Sequence, residues 1–133
     1  STPRGDRVHH RLRAFDEFQR AGIGAPLRRL HVGADETPAG AWTKSPAAQA
    51  TIERLKLAGT AGLWNHFYDR VGAILKRHGL QAAGWEELGA RRANPDGSGR
   101  LVPNEHFQGR GHTLFVWNNL DDADDLAYRL ANA

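Results

Sequence analysis

The stretch Leu30-His31-Val32-Gly33-Ala34-Asp35-Glu36-Thr37-Pro38 is a short apolar run that ends on two adjacent carboxylates and a turn, and its reading decides the fold. A brief apolar run bounded by turn signals is the pattern of a strand buried in a parallel sheet. In such sheets reactive groups gather where the strands end at their carboxyl edge. Leu27 to Ala34 therefore reads as the first strand, with Asp35 and Glu36 at that edge. Side chains alternate along a strand, so regular geometry sends His31, Gly33 and Asp35 to one face and Val32, Ala34 and Glu36 to the other. Both carboxylates serve one site only if the backbone leaves strand geometry here. Gly33 and Ala34 offer little hindrance to a close approach, and Thr37-Pro38 followed by Gly40 ends the strand. A carboxylate pair at such a corner supplies an acid and an anion when its two environments differ. The competing reading is a surface turn whose acids are solvated or cap a helix.

Before this stretch, Val8, Leu12, Phe15 and Phe18 recur at helical spacing, which predicts a helix from Val8 to Ala21, with Ile23 to Pro26 as linker. After it comes a Pro- and Gly-bearing loop carrying Trp42, either a packing plug or a pocket wall. Ser45-Pro46 is a helix-start signature for a helix through about Leu57. A second helix is expected from about Ala61 to His78, with Leu63, Trp64, Phe67, Val71, Ile74 and Leu75 as its apolar stripe and Gly79 at its C-terminal cap. Phe67 and Ile74 are expected to be buried against the sheet. Leu80 to Gly84 is the second strand, ending in Trp85-Glu86-Glu87; Ala93 to Gly111 reads as loop; Thr113 to Trp117 is the third strand, followed by Asn118-Asn119. Asp121, Asp122, Asp124 and Asp125 then lead into a last helix. Alternation of this kind means α/β, with adjacent parallel strands joined by right-handed crossovers.

The 133 residues fit one domain of ordinary size. The opening Ser1-Thr2-Pro3, the absence of Met and the last residues Ala131-Asn132-Ala133, inside a helical pattern, read as an excised piece. Absence of Cys excludes disulfides, thiolate chemistry and sulfur-ligated zinc. The net charge of +3 is concentrated early, at Arg4, Arg7, Arg11, Arg13, Arg20, Arg28 and Arg29. Asp6, Asp16 and Glu17 interrupt that cluster and no aromatic platform accompanies it, so it reads as a solvated helix face and no nucleic acid is expected as a partner. No apolar run is long enough to span a membrane and no signal-peptide pattern is present in these residues, which leaves export open.

Strands ending in Asp35-Glu36, Trp85-Glu86 and Trp117-Asn118 put acids and aromatics on one sheet edge. Flat aromatic faces against sugar rings and a carboxyl to protonate a glycosidic oxygen are what a carbohydrate site needs. A non-catalytic carbohydrate-binding or scaffold α/β piece would share the tryptophans without requiring Glu36. A metal-dependent hydrolase using His31, Asp35 and Glu36 matches no strong ligand spacing, so no metal is expected.

The motifs His31-Val32-Gly33-Ala34-Asp35-Glu36-Thr37-Pro38 with Gly40-Ala41-Trp42 and Ser45-Pro46, then Gly84-Trp85-Glu86-Glu87, then Val116-Trp117-Asn118-Asn119, resemble family 20 glycoside hydrolases, the β-N-acetylhexosaminidases of the bacterial chitobiase-like kind. The similarity runs from about Arg11 onward, with Ala34 standing where the family usually shows a second Gly. The resemblance implies part of a (β/α)8 barrel, approximately strands four to six, with residues 1–133 as a partial catalytic domain and no second domain. It implies hydrolysis of terminal N-acetyl-D-hexosamine residues by a substrate-assisted retaining mechanism that needs no cofactor. By analogy Glu36 is the general acid, Asp35 orients the substrate's 2-acetamido group, and Trp85, Trp117 and Glu86 bind the sugar. In the completed enzyme Glu36 is expected to lie buried among Trp85, Trp117 and Trp42. Partners implied are N-acetylglucosamine- or N-acetylgalactosamine-terminated glycans, chitooligosaccharides and the remaining barrel segments, in a periplasmic or extracellular setting, the chain alone being inactive.

Overall fold

A computed structural model describes residues 13, 16–17, 27–38, 40–120 and 123–133. The elements in order are β1 (Arg29–His31), α1 (Pro46–Leu55), α2 (Gly59–Arg77), β2 (Gln81–Trp85), a 3-10 turn (Glu86–Leu88), β3 (Ala90–Arg92), β4 (Leu101–Pro103), a second 3-10 turn (Glu105–Phe107), β5 (Thr113–Phe115) and α3 (Leu126–Ala131). The expected helix from Val8 to Ala21 and the linker after it lie outside the described residues, except that Arg13, Asp16 and Glu17 are helical. Asp121 and Asp122 lie outside them as well.

The expected parallel arrangement is present: the sheet order is β1-β2-β5, with Leu30 opposite Ala82 and Gly84 opposite Leu114. All three carboxyl ends therefore lie on one side. A sheet with the α1–α2 pair as one crossover is the architecture of a part of a (β/α)8 barrel. A feature absent from the sequence reading is the antiparallel β3–β4 hairpin, which pairs Arg91, just before the region expected to be loop, with Val102 inside it. Its strands are three residues each and the second ends on Pro103, which has no N–H for a ladder, so neither carries a strand pattern. Only the connection obeys the loop reading, with Asp96 Oδ1 accepting from the Ser98 backbone N–H at 2.9 Å.

The helices begin and end where their chemistry dictates. Ser45 Oγ accepts the Ala48 N–H at 3.3 Å with Pro46 in the first turn, and α2 closes with the Leu80 N–H on the Leu75 carbonyl at 3.0 Å across Gly79. The inner stripe of α2 is Trp64, Tyr68, Val71 and Leu75, packed on Leu30, Val32, Ala82 and Leu114 of the sheet. A smaller cluster of Ala90, Leu101, Ala123 and Leu126 seats α3 on the hairpin.

The expected burial of Phe67 is corrected: it is 44% exposed, Ile74 is half-buried, and Tyr68 and Leu75 are the residues of α2 that are buried. The apolar stripe is wide enough to include two neighbouring helical faces, and the inner one runs through Tyr68. Phe67 instead sets its ring edge-on to Tyr68 at 5.0 Å and to Trp42 at 6.2 Å. Leu75→Ala is therefore expected to cost about 2–5 kcal/mol. Phe67→Ala should cost about 1 kcal/mol; urea-unfolding midpoints measure both, and equal losses would contradict this packing.

Candidate active site

Pairing between β1 and β2 continues past the strand: the Val32 N–H donates to the Ala83 carbonyl and the Trp85 N–H to the Gly33 carbonyl, both at 2.8 Å. Beyond that bond the backbone leaves strand geometry, as the carboxylate corner requires. Gly33, Ala34 and Glu36 have φ of 80°, 70° and 40°. Left-handed conformation at a residue with a Cβ stores on the order of 1–3 kcal/mol and persists only where its surroundings hold it. Ala34, at φ 70°, is buried in the main core cluster. The neighbour that makes room is Gly84, where an added Cβ would lie 2.9 Å from the Gly33 carbonyl oxygen and 2.9 Å from Leu88 Cδ2.

This corner separates the two carboxylates. Asp35 is exposed and folds back over Gly33, its Oδ1 3.5 Å from where a Cβ on Gly33 would stand. The Gly33 N–H in turn donates to His31 Nδ1 at 3.2 Å. Glu36 is exposed too, and lines a cavity of about 510 Å³ together with Trp42, Trp64, Asn65, Glu87 and Arg91. The burial of Glu36 among Trp85, Trp117 and Trp42 is expected of the complete protein; in residues 1–133 Glu36 is exposed, and of the three tryptophans only Trp42 shares its cavity. Trp85 belongs to the sheet face away from α2, edge-on to the His31 ring at 5.1 Å and 6.2 Å from the Phe115 ring. Trp117, just beyond β5, is 54% exposed.

Glu86 and Glu87 divide in the same way. Glu86 is 1% exposed, and its Oε2 accepts the Trp117 backbone N–H at 3.3 Å, tying the end of β2 to the end of β5. Glu87 is half-buried and faces the Glu36 cavity. Its Oε2 is shielded from solvent with no hydrogen-bond partner among the described residues. Burial raises the Glu87 pKa above the ordinary carboxylate value, and the charges of Glu86 and Asp35 add to that, while backbone N–H groups of Glu87 and Glu36 pull the other way. The sequence reading singled out Glu86; the available signal was the doubled acid after Trp85, because successive residues of a 3-10 turn point apart. Arg91 does not neutralise the cavity, since its guanidinium grips Glu105 at 2.9 and 2.8 Å.

Two expectations follow from this geometry. Replacing Ala34 by Gly relieves the left-handed strain and should stabilise the fold by about 1 kcal/mol, read as a higher thermal midpoint. A lower midpoint would mean that the lost methyl outweighs the strain. For Glu87 the folded-state pKa is raised, so the native state holds the proton more tightly than the unfolded chain. Stability falls as pH rises from the ordinary carboxylate value through the folded one. Glu87→Gln removes that loss: its unfolding midpoint should exceed that of the parent at neutral pH, with the gap closing below the ordinary carboxylate pKa. A gap independent of pH would contradict the assignment.

The family model described as "Glycosyl hydrolase family 20, catalytic domain" matches residues 15–132. Among curated proteins, beta-hexosaminidase B of Pseudoalteromonas piscicida is 39% identical over 71 residues, covering 53% of this chain and 9% of that protein. Beta-hexosaminidase of Vibrio furnissii is 36% identical over 62 residues, covering 47% of this chain and 10% of that protein. The matched stretches thus span about a tenth of the length of these relatives. With the parallel strands, the carboxylate corner and a match over nearly its whole length, the chain belongs to glycosyl hydrolase family 20, to the part of it that forms the catalytic domain.

Proposed function

We propose that the complete protein removes terminal non-reducing N-acetyl-D-hexosamine residues from glycans, and that residues 1–133 contribute approximately strands four to six of its catalytic barrel. The observation that carries this reading is the left-handed corner at Gly33, Ala34 and Glu36. It sets two adjacent carboxylates at the carboxyl edge of a parallel sheet and gives them different surroundings. Strain kept at such a place in the chain belongs to a site rather than to a generic turn.

In this reading Glu36 donates its proton to the glycosidic oxygen as the C–O bond breaks. The substrate's own 2-acetamido carbonyl oxygen attacks the anomeric carbon and forms an oxazolinium; water then opens it, giving up a proton to the Glu36 carboxylate, so configuration is retained over two displacements. Asp35 orients the acetamido group and faces the cation that develops on it. Trp85 and Trp117 offer the aromatic faces for the sugar ring. Glu86 acts on the sugar pocket through Trp117, whose backbone it holds. The substrates are N-acetylglucosamine- or N-acetylgalactosamine-terminated glycans, including chitooligosaccharides. The isolated chain lacks the other barrel strands and would be inactive.

A binding piece without turnover is the second reading, favoured by the exposure of Phe115 and Trp117, which a sugar would cover. A leaving-group series separates the two. With aryl N-acetylglucosaminides and the complete protein, Glu36→Gln should depress kcat/KM most for poor leaving groups, which depend on protonation, and Asp35→Ala should depress it for good ones as well. Equal loss across the series for Glu36→Gln would refute the general-acid role, and sugar binding with no turnover in the unsubstituted complete protein would favour the binding reading.

A further inference from the structure

Glu86 and Glu87 leave one 3-10 turn in different directions and reach the ends of two different strands. Glu86 is fixed by the Trp117 N–H on the β5 side. Glu87 faces the β1 side, where the Trp85 N–H to Gly33 carbonyl bond brings its turn against the carboxylate corner, and it shares the 510 Å³ cavity with Glu36. We infer that Glu87 is a positioning residue for Glu36: it stands behind the left-handed Glu36 backbone and sets a carboxylate in the cavity that Glu36 lines.

This inference rests on the glycosidase reading above and adds to it a residue that does not touch the sugar. A shielded carboxylate oxygen without a partner costs stability, and a residue present only for packing would be served as well by an amide or a hydrocarbon. Among the described residues, the charges that act on it are Asp35 at the β1 corner and Glu86 of its own turn, both acidic, while Glu36 offers it a backbone N–H and lines the same cavity. The cations along the cavity are engaged elsewhere, Arg91 on Glu105 and Arg92 on the Gly99 carbonyl at 3.1 Å. The cavity residues of α2, Thr60, Ala61, Trp64 and Asn65, carry no charge. The charge of Glu87, set in the cavity that Glu36 lines, opposes a second negative charge there, which suits a site that donates a proton.

The test is the pH profile of the complete protein and its Glu87→Gln variant, read with an aryl N-acetylglucosaminide. The expected result is a kcat lower on the order of tenfold with KM little changed. The alkaline limb of kcat/KM should move about one unit toward lower pH. Thermal stability at neutral pH should rise while activity falls, a combination that a merely structural side chain does not give. An unmoved limb, or stability and activity falling together, overturns the inference. If Glu87→Gln yields no soluble protein, Glu87→Asp carries the test: it keeps the charge, so the limb should stay in place while kcat drops, and an unchanged kcat overturns the inference. Glu36→Gln measured in parallel separates the two levels. Wild-type turnover there refutes the glycosidase reading itself, whereas lost turnover with an unmoved Glu87→Gln limb refutes only the role of Glu87.

Discussion

The hydrogen bond from the Trp85 N–H to the Gly33 carbonyl, made across the bare Cα of Gly84, is the contact on which the site depends. It is the last rung between β1 and β2. Below it the sheet is regular and its inner face packs on α2; above it the chain turns left-handed for most of four residues. Because the rung stops the ladder at Gly33, the left-handed corner and not strand alternation places Asp35 and Glu36. One folds over Gly33 and the other opens onto the cavity beside Trp42.

The same edge concentrates cost. Left-handed backbone at Ala34 and Glu36, a shielded oxygen on Glu87 and a run of acids with no free cation beside it among the described residues each oppose folding. The fold offsets them with the parallel pairing of three strands and the buried contacts of Tyr68, Leu75, Ala82 and Leu88. Sites assembled for chemistry keep such conflicts at a cost in stability.

The parts of this architecture that a sequence expresses locally were legible. Apolar runs ending in Asp35-Glu36, Trp85 and Trp117 marked the three strands and their common edge; Ser45-Pro46 and Gly79 marked helix ends. What remained hidden depends on tertiary context. The β3–β4 hairpin lacks a strand pattern because its strands are short and one ends on Pro103. The inner face of α2 could not be told from the neighbouring face when both are apolar, and Tyr68 went unnoticed in favour of Phe67. The partition of Glu86 and Glu87, like that of Asp35 and Glu36, follows from backbone angles that no pair of identical or similar side chains encodes by itself.

The close approach at Gly84 places the carboxylate corner. Gly84→Ala tests it without altering any acid or aromatic residue. In the complete protein the added methyl must push Gly33 and Leu88 away, and kcat/KM for an aryl N-acetylglucosaminide should fall about a hundredfold in a variant that circular dichroism shows to be folded. A folded Gly84→Ala protein with wild-type turnover would contradict it.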